Sequence, residues 1–212
     1  MRVFTNNNYY FFPILKNASQ WGEKFFKKHH FIESDYENNS ETPNHYFIIF
    51  LRDPIERWYS AVAEYITLLM INDTKSRKRK AIPFREMPLD VLHLDLLFSR
   101  IHLDGHTLPQ VEILETLIDK DPKKTFYFSL DDTDFNTKFV YFCNNKVSSS
   151  IKFLPKPYNT SKSSGLKLDI ISRLKKAVDT NSKYKKNLYD FYRKDIDFTN
   201  SCNYYTIPVD AL

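Results

Sequence analysis

His45-Tyr46-Phe47-Ile48-Ile49-Phe50-Leu51, running straight into Arg52-Asp53-Pro54, decides the fold. From Tyr46 to Phe50 every residue is aromatic or β-branched, the types that suit a pleated strand. An antiparallel strand with one wet face would alternate apolar and polar side chains. This one does not, which predicts a strand over 45–51 in a sheet covered on both faces, the setting of parallel α/β sheets. Pro54 suits the first turn of a helix. Ile55, Trp58, Val62, Ile66 and Leu69 then recur at helical spacing.

The same unit appears upstream. Tyr9-Tyr10-Phe11-Phe12-Pro13 reads as a buried strand, the stretch from Ile14 to Ser19 as a loop, and Trp21, Phe25, Phe26 and His29 as one helix face. Downstream, the pattern predicts helices over 89–98 and 108–118, a strand over 124–130 and a helix over 135–142. Helices over 166–178 and 184–192 follow, then a frayed tail. Polar or proline-bearing stretches at 38–44, 72–88 and 152–164 read as loops. Strands alternating with helices predict an α/β fold: a three-layer sandwich around a central, mostly parallel sheet, in one domain spanning 1–212.

Composition narrows the partners. With 42% hydrophobic and 16% aromatic residues among 212, the chain has ample apolar material for a core, which excludes global disorder. A formal charge of +5 suits an anionic partner (nucleotide, acidic glycan, nucleic acid or membrane surface), although charge alone is explained first by simple solubility. Cys143 and Cys202 are too few for a disulfide framework or a cysteine metal site, and no metal-ligand spacing is present. Residues 1–10 lack signal-peptide features, and no apolar run approaches the roughly 20 residues of a membrane span. A soluble, cytoplasmic protein with no membrane span is expected.

In open α/β sheets, ligands sit beyond the carboxyl ends of the strands. Pro13-Ile14-Leu15-Lys16-Asn17-Ala18-Ser19-Gln20-Trp21 stands at one such end. Its loop amides and the following helix dipole can face an anion. Lys16 adds a full charge, and Ser19 and Gln20 add donors. The glycine-rich GxxxxGK[ST] loop is absent. Arg52-Asp53-Pro54-Ile55-Glu56-Arg57-Trp58-Tyr59-Ser60 stands at the next strand end. There Arg52 offers a planar fork for phosphate oxygens and Ser60 a hydroxyl about two helical turns on. Asp53 as a helix cap and Arg57 paired with a surface acid are the structural alternatives.

The first segment resembles the 5′-phosphosulfate loop of sulfotransferases that use 3′-phosphoadenosine-5′-phosphosulfate (PAPS), with Lys16, Ser19 and Trp21 matching, alanine allowed at Ala18, and Gln20 replacing the usual Ser or Thr. The second resembles the 3′-phosphate segment of the carbohydrate sulfotransferases, Arg-Asp-Pro, two residues, Arg, two residues, Ser, at every fixed position. Asp104-Gly105-His106-Thr107-Leu108-Pro109-Gln110 is similar to an Asp-x-His-x-x-Pro-Gln segment of the Golgi carbohydrate group, which includes heparan 2-O-type enzymes. A turn followed by a helix start explains it equally well. Asn159-Thr160-Ser161-Lys162 falls where relatives close a loop over the 3′-phosphate.

This resemblance implies a P-loop NTPase-like sulfotransferase fold and transfer of a sulfuryl group from PAPS to an acceptor hydroxyl, with a carbohydrate, possibly acidic, as acceptor. PAPS would be the donor, with no metal. Lys16, Asn17, Ala18, Ser19, Gln20, Trp21, Arg52 and Ser60 would bind it, with Lys16 on the departing oxygen and Trp21 against the adenine. The general base would be Glu23 or His106, with His29 and His30 as further candidates. The lack of an anchor points to a bacterial or viral context rather than a secretory one. Two other readings stay open. A small kinase would need the missing glycine-rich loop. A polyanion- or nucleic-acid-binding module would rest on the charge and on the basic run Lys75-Ser76-Arg77-Lys78-Arg79-Lys80, which could equally be an acceptor-binding arm.

Overall fold

The computed structural model describes residues 2–6, 8–35, 45–71, 91–118, 124–147 and 165–208. In chain order these form β1 (Arg2–Asn6), β2 (Tyr9–Phe12), α1 (Ser19–Lys28), β3 (Ile32–Asp35), β4 (Tyr46–Leu51), α2 (Pro54–Ile71), α3 (Val91–Ser99), α4 (Gln110–Ile118), β5 (Thr125–Ser129), α5 (Phe135–Phe142), a π-type turn at Cys143–Val147, α6 (Gly165–Thr180), α7 (Ser182–Phe191) and α8 (Arg193–Ser201). The loops expected at 38–44, 72–88 and 152–164, with the basic run and Asn159 to Lys162, lie outside the described residues.

The chain groups into two compact units. The first comprises Met1–Asp53, Gln110–Thr160 and Asp197–Leu212, and the second Pro54–Pro109 and Ser161–Ile196.

The first unit is α/β. Its sheet has the order β3-β1-β2-β4-β5. β2 pairs with β4 and β4 with β5 in parallel, whereas β1 pairs antiparallel with both β2 and β3. The sheet is therefore mixed, parallel through β2, β4 and β5 as expected and antiparallel where β1 and β3 extend it. Only β2, β4 and β5 stand where the apolar runs predict strands. β3, Ile32-Glu33-Ser34-Asp35, is exposed at every position, as a short charged edge strand must be to discourage further pairing.

β4 is buried on both faces. Ile48 and Phe50 join Phe4, Phe11 and Phe128 under Trp21, Phe25 and Phe26 of α1 and Phe139 and Phe142 of α5. Phe47, Ile49 and Leu51 join Val3, Phe12 and Tyr127 with Leu114 of α4, and Phe198 of α8 packs against them. Helices thus cover both faces, which is why the run from Tyr46 to Leu51 can be apolar throughout.

α1 sits so close to β2 that a Cβ built on Gly22 would lie 2.4 Å from the Phe11 ring. The helix ends in a Schellman motif, with Phe31 N donating to Phe26 O (2.9 Å) and His30 N to Lys27 O (3.3 Å). The Phe26 and Phe31 rings provide the accompanying apolar contact at 4.6 Å. His30 occupies the left-handed position, φ 65, that this motif usually gives to glycine.

The second unit is helical among its described residues. Trp58, Val62, Leu97, Phe98, Leu174, Tyr184, Leu188 and Tyr192 form its core. Trp58 Nε1 donates to Ile101 O (3.1 Å), and the Tyr192 hydroxyl donates to Thr107 O. The tail expected to fray is helical as α8. Among the described residues no helix is long and apolar enough to cross a membrane.

Two substitutions check this account by thermal or denaturant unfolding. Gly22→Ala should destabilise by roughly 1–3 kcal/mol, because the new methyl meets a buried ring that has no room to move. His30→Gly should stabilise by about 1 kcal/mol by relieving the left-handed strain.

Candidate functional site

The chain leaves the carboxyl ends of the adjacent strands β2 and β4 in opposite senses. After β2 it forms α1 over one face and goes on to β3, beyond β1; the path from β4 returns as α4 on the other face and enters β5. Such a divergence between neighbouring parallel strands is a topological switch point, where open α/β sheets leave a crevice for ligands. The Lys16 loop follows β2 and Arg52 follows β4, so the switch point brings the two together in the first unit.

Ile14, almost fully buried, anchors the loop, and Asn17 N donates to Ile14 O at 3.0 Å. Lys16 (φ 68) and Ala18 (φ 53) are left-handed, with Asn17 between them outside that region. This alternation curves the backbone as in anion-binding nests, with the central Asn17 amide closed onto Ile14 O. It is built without glycine, at a cost of roughly 1–2 kcal/mol for each left-handed residue. Ala18 is the N-cap of α1, gives the first-turn amides no side-chain acceptor, and no acidic residue stands in that turn. The positive end of α1 is therefore open to an anion.

Two buried amide side chains tie the loop to β4. Asn17 Nδ2 donates to Phe50 O (2.8 Å) and also to Gln110 Oε1. Gln110 Oε1 accepts from Arg52 N (3.2 Å), and Gln110 Nε2 donates to Arg52 O (2.9 Å). Asn17 and Gln110 are both 0% exposed. Leu51 O faces β5, where it accepts from Leu130 N, so Phe50 and Arg52 present their peptide groups on the β2 side. The two side-chain amides thus continue the β2–β4 ladder after β2 has turned away, and satisfy peptide groups that would otherwise be orphaned. Asn17 Oδ1 is the remaining member, buried without a hydrogen-bond partner.

Arg52 is partly exposed, and its Nε lies 3.9 Å from Asp131 Oδ1. Asp53 N donates to Asp131 Oδ2 at 2.5 Å. Asp131 therefore already holds part of the donor set that an anion at the end of β4 would use. Nothing in the sequence motifs marks Asp131, because its place beside Arg52 comes from the pairing of β4 with β5.

Several expected roles change. Asn17 is spent inside, its side-chain amide on Phe50 O and Gln110 and its backbone N–H on Ile14 O. Trp21 is 5% exposed and packs on Phe25, Phe50, Phe135 and Phe139; its contacts are core contacts rather than a platform for adenine. Ser19 is buried at the helix start, and Gln20 is exposed. Glu23 is ion-paired with Arg2 (2.5 Å), which also holds Glu33 (2.8 Å). His29 packs on Phe25, and burial, then Lys28 and His30, pull its pKa down.

In the second unit, Ser60 is half-buried on α2. Arg57, expected to pair with a surface acid, is instead fully buried and donates through Nη1 to Leu108 O at 2.7 Å. His106 Nδ1 lies 3.1 Å from Asp104 Oδ2 within a turn closed by Thr107.

Burial pushes the Cys202 thiol up to about 12 and the Cys143 thiol up as well, so neither is a thiolate nucleophile at neutral pH. Among the described residues no cluster of three His, Cys, Asp or Glu side chains could hold a metal ion. Comparison with protein-family models, with curated proteins and with solved structures found no match.

The Asp131 geometry makes a direct prediction. Asp131→Asn keeps an acceptor for the Asp53 amide but removes the negative charge beside Arg52. Titration with inorganic sulfate should show roughly three- to tenfold tighter binding, the size of about one kcal/mol of exposed charge interaction.

Proposed function

We propose that the chain is a PAPS-dependent sulfotransferase acting on an acceptor hydroxyl, with a carbohydrate as the acceptor class. One observation carries this reading: the Lys16 loop and Arg52, the two segments that resemble the phosphate-binding motifs of that family, stand at neighbouring strand ends of one switch point and are locked together by Gln110. A nucleotide phosphorylated on both sides of its ribose needs two cationic cradles at a set spacing, and a single-phosphate ligand does not.

In the proposed reaction the acceptor oxygen attacks sulfur in line. The bond from sulfur to the bridging oxygen breaks, and its electron pair leaves on the 5′-phosphate oxygen. Lys16 and the nest amides meet the charge that grows there. The acceptor proton passes to a general base. Of the two candidates, Glu23 is ion-paired with Arg2, and His106 lies against the Asp104 carboxylate of its own turn.

Thermal unfolding with ligands tests the proposal. At about a hundred times its Kd, 3′-phosphoadenosine-5′-phosphate should stabilise the chain by roughly 2.7 kcal/mol. ATP and AMP should do much less, and Lys16→Ala or Arg52→Ala should abolish the effect. Equal stabilisation by ATP, or indifference to Arg52, sinks the reading.

A further inference from the structure

We infer that Gln110 is a positioning residue that sets the distance between the two anion cradles, and so makes the site selective for a ligand with two phosphates at fixed separation. The inference rests on the functional reading above and extends it to a residue that touches no ligand.

Gln110 stands at the first position of α4, 58 residues from Arg52 and 93 from Asn17 in sequence. It engages both peptide groups of Arg52, as a neighbouring strand would, and with the same Oε1 accepts from Asn17. Asn17 lies between the left-handed residues Lys16 and Ala18. A shift of the Gln110 amide therefore moves the backbone under Arg52 and the middle of the Lys16 loop together. The backbone of each cradle has further supports: Asn17 N on Ile14 O for the loop, and Leu51 O with Leu130 N for the end of β4. Without Gln110 each cradle can persist, with Asn17 still tied to Phe50 O, but the described link from the loop to the peptide groups of Arg52 itself is lost.

Two linked anions gain over one only when the receptor holds both sites at the spacing of the ligand. Loss of register should therefore erase the advantage of a bisphosphate and leave single-phosphate binding almost untouched. A residue that merely supported the fold would weaken all these ligands alike.

The test is calorimetric titration of the full chain with 3′-phosphoadenosine-5′-phosphate, adenosine 5′-phosphate and adenosine 3′-phosphate. Gln110→Asn keeps the amide and adds no charge, but is one methylene too short to reach both partners. Asn17→Ala cuts the bridge from the other side and serves if the first variant fails to fold. For either folded variant, bisphosphate affinity should fall at least about tenfold while each monophosphate changes by less than about threefold, the pattern expected when only the spacing is lost. A parallel fall for all three ligands, or no fall, overturns the inference while leaving the functional reading intact. A wild-type chain with no preference for the bisphosphate overturns the reading itself.

Discussion

At the carboxyl ends of β2 and β4 the chain must solve a hydrogen-bonding problem before it can bind anything. β2 stops at Phe12, yet β4 continues, leaving the peptide groups of Phe50 and Arg52 facing a departed neighbour. Buried and unpaired, each would cost on the order of 1–3 kcal/mol. The side chains of Asn17 and Gln110 take the missing places. That repair lets β2 turn away into the Lys16 loop while both peptide groups of Arg52 stay hydrogen-bonded. The cationic groups are useful only because two neutral amides hold their backbones.

The loop after β2 is built where glycine is scarce. Only 3 glycines occur in the chain, and none lies between Pro13 and Trp21. Lys16 and Ala18 adopt left-handed backbone instead, and packing around Ile14 and Asn17 holds the strain. The one glycine of α1 has a different task, letting the helix approach Phe11 so that its amino end stays over the end of β2. Asp131 works against the positive charges and tempers the Arg52 cradle.

Much of this architecture is legible in the residues themselves, for reasons that also explain the failures. The strand at 45–51 declares itself because both of its faces are buried, and α1, α2 and α5 because their apolar stripes face a single core. β1 and β3 are silent: five and four residues long, polar at their ends or throughout, and defined only by pairing. α8 hides for a similar reason, since Arg193-Lys194-Asp195-Ile196-Asp197 reads as solvated tail while Asp195 is in fact buried. At the site, Lys16 and Arg52 are visible because their chemistry is local to a strand end. Gln110 closes a segment that the sequence singles out, but its partners, like those of Asp131, come from contacts that span 58 and 78 residues of sequence. Trp21 is a misreading of another kind, since an aromatic after an anion loop serves stacking or core equally well, and its burial among phenylalanines decides for core.

The central claim is that the ends of β2 and β4 form one bisphosphate-binding crevice. Backbone amide chemical shifts followed by NMR during titration with 3′-phosphoadenosine-5′-phosphate test it most directly. The account predicts saturable changes concentrated at the amides of Lys16 to Gln20 and of Arg52 and Asp53, with weaker ones at Asp131. Saturable changes elsewhere with those amides silent, or no saturable change at all, would contradict it.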